Sequence, residues 1–150
     1  MFSKLKKFLR IPGRERNLFL EALVLHLWVG LLLKLVPFRK IAELFSGQQP
    51  DILAGGEVQS LNSVPGWQSE KTEEIRRAVE RAGAFSPWRN RCLVSSLAAK
   101  RMLNRRDIPS VLSLGVSRGS RGRVVAHAWL KSGNCELVRK DGDYTVLYTF

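Results

Sequence analysis

The spacing of apolar side chains divides the chain into a helical first part and a strand-rich last part. Three stretches show the three- and four-residue spacing of helices: a strongly apolar run from Leu18 to Val36, a short segment at 41–45, and a stretch from Thr72 to Ala82. The densest pattern of this kind runs from Cys92 to about Asn104 and buries a broad stripe. These four segments are therefore predicted to be helices.

Beyond residue 104 the apolar period changes to two. Short apolar runs lie at 110–116, 124–130, 136–139 and 144–150, separated by segments rich in Gly and Ser. Helices followed by such strands predict an α+β fold with an antiparallel sheet. The predicted organisation is a basic and apolar N-terminal helical segment over residues 1–47, a connecting loop over 48–69 and a core over 70–150.

The apolar run at 18–36 raises the question of a membrane span, because a span needs about 20 predominantly apolar residues. Glu21, His26 and Lys34 interrupt the run and do not gather on one helical face. Each would cost roughly 2–3 kcal/mol near a bilayer centre. A helix buried against the protein, or lying at an interface, is therefore favoured over a span. A cleaved signal peptide is not predicted, because no small-residue cleavage site follows.

The formal net charge of +12 favours an anionic partner, with a solubilising surface that has no partner as the alternative. Nucleic acid, an anionic membrane surface and an acidic protein or peptide all remain open, but the aromatic residues are not interleaved with Lys and Arg as a base-stacking platform requires. Nucleic-acid binding is therefore the weaker alternative. The first segment, a short basic amphipathic stretch, has the densest positive charge, and together with the apolar helix it is suited to anionic lipid or an acidic partner. Its cationic residues are Lys4, Lys6, Lys7, Arg10, Arg14 and Arg16.

Two cysteines, Cys92 and Cys135, are too few and too far apart for a disulfide framework or a metal site, which suits a reducing cytoplasm. Cys92 falls where a helix is predicted to start, and a helix N-terminus favours the thiolate form. His127 lies on a predicted strand that should pack against that helix, whereas His26 lies in the apolar run and is a poor candidate for a base. Cys92 and His127 therefore predict a thiol nucleophile and its base.

A base of this kind usually needs a third group that orients its imidazole. The candidates are Glu136, Asp141 and Asp143, of which Asp141 is the best placed and Asp143 the second. For a developing oxyanion, the backbone N–H of Cys92 is the natural donor, and Asn90 is a candidate for a second. No phosphate-binding glycine loop is present, so no nucleotide cofactor is predicted from the residues. The number and spacing of the cysteines predict no metal site.

Several short motifs together resemble the protease half of the lasso peptide biosynthesis protein B family, which has a transglutaminase-like, papain-like core. The resemblance extends from about residue 18 onward and includes the leucine-rich run that ends at Arg39. Neither the cysteine block nor the histidine block alone would be specific. The motifs are Pro87-Trp88-Arg89, Cys92-Leu93, Ser96-Leu97, Ile108-Pro109, Leu114-Gly115-Val116 and Ala126-His127-Ala128-Trp129.

The resemblance implies a cytoplasmic cysteine peptidase that removes the leader from a lasso precursor peptide, with Cys92 as nucleophile and His127 as base. Counting without gaps puts the family's third residue at Arg139, and a small insertion moves it to Asp141 or Asp143. A separate small leader-recognition protein and a downstream lasso cyclase are the implied partners, and a requirement for ATP is left open. The alternative use of the same residues is transglutaminase-like acyl transfer to an amine.

Overall fold

The computed structural model describes residues 12–46, 66–119 and 122–150. Most of the basic first segment and most of the predicted loop at 48–69 lie outside these ranges. Within them the chain forms four helices and four strands. The helices are α1 (Gly13–Leu35), α2 (Phe38–Ser46), α3 (Gly66–Ala84) and α4 (Arg91–Asn104).

All four predicted helices are confirmed, and the differences lie at their ends. Helix α1 begins directly after Pro12, five residues before the apolar run, because its first turn is polar and carries Arg14 and Glu15. Helix α3 likewise begins at Gly66 rather than Thr72, since its first residues are mostly polar. Apolar spacing detects the buried turns of a helix but not an exposed polar first turn.

Helix α4 is the central element of the core. Val94, Leu97 and Met102 are fully buried, and the helix packs against α1, α3 and the sheet. One face of α1 is buried in the same core and includes Phe19 and Val29. The N-terminal helix is thus packed onto the rest of the domain along one side.

The sheet is antiparallel throughout, in the order β3-β2-β1-β4. Its inner face, which packs on the helices, carries the fully or nearly fully buried Leu112, Leu130 and Leu137. The opposite, outer face carries Gly115 and its cross-strand partner His127. The predicted α+β architecture is therefore confirmed. The strands are β1 (Val111–Arg118), β2 (Val124–Ser132), β3 (Cys135–Val138) and β4 (Thr145–Thr149).

Strands β3 and β4 lie at opposite edges of the sheet, so the segment 139–144 that joins them crosses β2 and β1. Its side chains show that it crosses the outer face: the Lys140 ammonium lies 5.5 Å from the centre of the Trp129 ring, and Tyr144 lies beside Gly115. A Cβ at Gly115 would lie 2.8 Å from the carbonyl oxygen of Thr145. Glycine at this position lets the crossing segment approach the sheet closely.

Candidate active site

Cys92 is the second residue of α4, as the sequence predicts, and its side chain is half-buried. The first hydrogen bond of the helix runs from the Val94 N–H to the Asn90 carbonyl at 3.1 Å, and the Asn90 side chain makes no capping hydrogen bond. The N–H groups of Arg91, Cys92 and Leu93 therefore precede the helical hydrogen bonds. Their partial positive charge favours an oxyanion that develops at this point.

Trp88 anchors the segment that leads into α4. Its indole N–H donates to the His26 carbonyl of α1 at 3.0 Å, and its ring lies directly on Gly30. A Cβ at Gly30 would come within 2.0 Å of that ring, so only glycine fits there. The Lys34 ammonium lies 4.9 Å from the ring centre. Sequence reasoning missed this contact, although a lone glycine within a long apolar helix was a signal of close packing.

His26 forms a second link between α1 and α4. Its Nδ1–H donates to the Ala22 carbonyl at 2.7 Å, and its Nε2 lies 3.0 Å from the Ser95 hydroxyl, which donates to it. The imidazole is fully buried, and burial lowers its pKa below the ordinary value of 6.5, an effect that the hydrogen bond to Ala22 partly opposes. Because both nitrogens are engaged, His26 cannot act as the base, in agreement with the sequence-based expectation.

His127 lies in β2 with a fixed tautomer. Its Nε2 is 2.7 Å from the main-chain carbonyl of Arg139, which can only accept, so Nε2 carries the hydrogen and Nδ1 keeps the lone pair. The ring stacks on Tyr144 at 5.0 Å and on Trp129 at 6.2 Å between centres. The Nδ1 atom is thus the one able to take up a proton.

The structure does not bring a carboxylate to this imidazole. Asp141 and Asp143 are both exposed, and neither has a hydrogen bond or ion pair with the residues described here. Glu136 instead pairs with Lys131 at 3.0 Å. The group that the imidazole is hydrogen-bonded to is the main-chain carbonyl of Arg139, the residue that counting without gaps reaches. Every residue has a main-chain carbonyl, so the sequence does not indicate which one accepts this hydrogen bond. The role of Asp141 or Asp143 as the third catalytic residue stays a prediction.

No hydrogen bond joins the Cys92 thiol and the His127 imidazole among the described residues, and their pairing stays a prediction. Pairing between β1 and β2 is regular, so side chains alternate strictly, and His127 faces away from the inner-face residue Leu130. Helix α4 packs on the inner face, whereas the imidazole lies under the crossing segment on the outer face. Within the described ranges the Cys92 thiol has no hydrogen-bond partner. The helix and the strand that carry these two residues do pack together, as predicted.

Residues 32–149 match the Transglutaminase-like superfamily. The chain belongs to this superfamily. The match covers most of the chain and includes Cys92, His127 and all four strands. Comparisons with curated proteins and with solved structures each give no significant match. The superfamily contains papain-like cysteine peptidases and acyltransferases and is generally enzymatic.

Within this transglutaminase-like domain, the two cysteines occupy contrasting surroundings. The Cys135 thiol lies 3.8 Å from a carboxylate oxygen of Glu73, and burial, aided by that negative charge, raises the pKa of Cys135. Arg76 holds Glu73 ionised and lowers its pKa to about 2. Cys135 is therefore kept as a thiol, while Cys92 lies at the positive end of a helix. Of the two, Cys92 is the one placed for nucleophilic chemistry.

Proposed function

We propose that this member of the transglutaminase-like superfamily is a cysteine peptidase that removes the leader from a lasso precursor peptide. The observation that carries the proposal is the half-buried Cys92 at the start of α4, among N–H groups that precede the first helical hydrogen bond. The superfamily match supports cysteine-dependent acyl chemistry. The paired motifs around Trp88 and His127 support the lasso precursor as the substrate class.

In the proposed reaction the Cys92 sulfur attacks the carbonyl carbon at the leader–core junction. The backbone N–H of Cys92 donates to the oxyanion, with the Asn90 side chain as the proposed second donor. As the C–N bond breaks, the leaving amine of the core takes the proton that His127 received from the thiol. Water then attacks the thioester, releases the leader as a carboxylic acid and restores the thiol.

Proton transfer requires the Cys92 thiol and the Nδ1 atom of His127 to lie within hydrogen-bond reach, about 3 Å apart or bridged by one water. The hydrogen bond from Nε2 to the Arg139 carbonyl leaves Nδ1 to take up the thiol proton. Strand β3 pairs with β2 only at Leu130, Lys131 and Ser132, so the edge of β2 beside His127 is not covered by a strand. The hydrogen bond between thiol and imidazole is proposed to form in the complex with the precursor.

The cleavage test combines the full chain with a lasso precursor and its leader-recognition protein, and follows peptide masses. The wild-type chain and Cys135→Ser should release a leader with a new carboxylate, whereas Cys92→Ala should slow release by about a thousandfold or more. Circular dichroism checks that the variants are folded. Normal processing by Cys92→Ala would end the proposal. A new amide in place of the carboxylate would instead identify an acyl transferase.

A second measurement tests the partnership with His127. In a Cys135→Ser background, iodoacetamide reacts with Cys92 alone, and replacing His127 with Ala should slow that reaction about tenfold at neutral pH. Thr145→Ala, at an exposed position on β4, is the control for a change in the same region. Equal rates with and without the imidazole would remove His127 as the base, while the cleavage assay still decides the role of Cys92.

A further inference from the structure

The outward face of α1 is apolar and has no partner among the described residues. Six side chains form this outward stripe, and they recur every three or four residues, so they share one face of the helix. Their exposed fractions range from 40% for Trp28 to 73% for Leu35. The stripe consists of Leu20, Val24, Leu27, Trp28, Leu31 and Leu35.

Positive charge flanks the outward stripe at both ends. Arg14 and Arg16 lie in the first turns of α1, and Lys34 and Arg39 lie near its end and at the start of α2. The preceding eleven residues add four more cations and no acidic residue. The stripe itself extends about 22 Å, given 1.5 Å per residue. An elongated apolar face between basic ends matches the boundary between lipid head groups and acyl chains, where basic residues meet phosphates.

The inner face of α1 shows how deeply the helix can enter a bilayer. By length and composition α1 would qualify as a membrane-spanning helix. However, His26 is hydrogen-bonded to Ser95 of α4, and the carboxylate of Glu21 pairs with Arg106 at 2.6 Å. A span would have to break these contacts and expose their polar groups to hydrocarbon. Only the outward half of the helix is free to meet lipid.

We propose that the outward stripe docks α1 lengthwise on an anionic membrane leaflet while the inner face stays packed on α4. A second copy of the chain is a poorer occupant: because both ends of the stripe are basic, either relative orientation of two helices would bring like charges together. The net charge of +12 adds a further repulsion between copies and a further attraction to anionic lipid. This docking is independent of the peptidase proposal, since it uses none of the same residues.

The test is sedimentation of the full chain with vesicles of phosphatidylcholine containing about one-third phosphatidylglycerol, matched against vesicles of phosphatidylcholine alone. We expect binding to the anionic vesicles that weakens as salt is raised. Replacing Leu27 and Leu31 together with Glu should lower the partition coefficient at least tenfold. The matched control is Leu147→Glu on β4, an equally exposed apolar residue outside the stripe, which should bind as wild type does.

Four results would overturn the proposal. The first is no sedimentation of the wild-type chain with anionic vesicles, and the second is equal binding by wild type and the Leu27/Leu31 variant. The third is self-association of the wild-type chain in lipid-free buffer that the variant abolishes, which would assign the stripe to a second copy. Alkaline carbonate should release the bound protein, because it is held at the surface; retention after carbonate would indicate a spanning helix instead.

Discussion

At the scale of single residues, the sequence predicts which elements carry the two candidate catalytic side chains but not the directions in which they point. Cys92 lies at the start of a helix and His127 lies in a strand, both as the spacing of apolar residues predicts. The strand around His127 is apolar on both faces, with Val125 and Trp129 on one side and Ala128 and Leu130 on the other. An alternating pattern identifies the buried face only when the other face is polar. The outward direction of the imidazole therefore had no signal in the sequence.

His26 should make the fold sensitive to acid. Because burial lowers the pKa of His26 in the folded state, the unfolded chain binds this proton first. Well above pH 6.5 the histidine is neutral in both states and does not change the free energy of unfolding. As the pH falls below 6.5 towards the lower folded-state pKa, the free energy of unfolding should decrease. Urea unfolding at intervals from pH 7.5 to 5.5 measures this slope. Replacing His26 with Gln should reduce this slope, whatever the substitution does to stability at pH 7.5. The control is His127→Gln, which replaces the half-buried histidine. Equal slopes for wild type and His26→Gln would contradict the assignment.

At the scale of elements, every helix and strand in the described parts of the chain was predictable because each has one strongly apolar face or run. What the sequence did not predict is how the elements contact one another, since such contacts depend on small residues and main-chain atoms. Gly30 admits the Trp88 ring, Gly115 admits the crossing segment, and the Arg139 carbonyl holds His127. None of these contacts depends on a residue that belongs to an apolar repeat, so the spacing of apolar residues cannot predict them.

The contact between Trp88 and α1 gives a matched pair of glycine substitutions. Alanine is intrinsically favoured over glycine in a helix by about 1 kcal/mol. At Gly13, where a Cβ meets nothing within 4 Å, Gly13→Ala should leave stability unchanged or raise it. At Gly30 a Cβ overlaps the indole, so Gly30→Ala should destabilise the fold by about 1–3 kcal/mol in urea unfolding. A Gly30→Ala chain as stable as Gly13→Ala would show that Trp88 does not lie where the structure puts it.

At the scale of the whole molecule, the sequence-based division at residues 47 and 70 separates segments that share one core. Phe19 and Val29 of α1 are buried with Val94 and Leu97 of α4. The superfamily match also begins inside α1, at residue 32. Hydrophobic spacing predicts that a helix has a buried face, but it does not say which partner covers that face. The N-terminal helices are therefore part of the structural unit that carries Cys92.

A chain that begins at Gly66 should consequently fail to fold cooperatively. Helices α1 and α2 bury five large apolar side chains in the shared core, namely Leu18, Phe19, Val29, Ile41 and Phe45. At about 1.5–3 kcal/mol each, their loss is comparable with the entire stability of a typical domain, about 5–15 kcal/mol. Trp88 and Ser95 would also lose the α1 groups that they bind. Near-ultraviolet circular dichroism and urea unfolding of residues 66–150 should therefore show no fixed tertiary packing and no sharp transition, whereas the full chain shows both. The contrary result is a sharp transition in the truncated chain, with the urea dependence expected for its size. It would show that residues 66–150 fold without α1 and α2. The main role of these two helices would then be at a surface such as lipid.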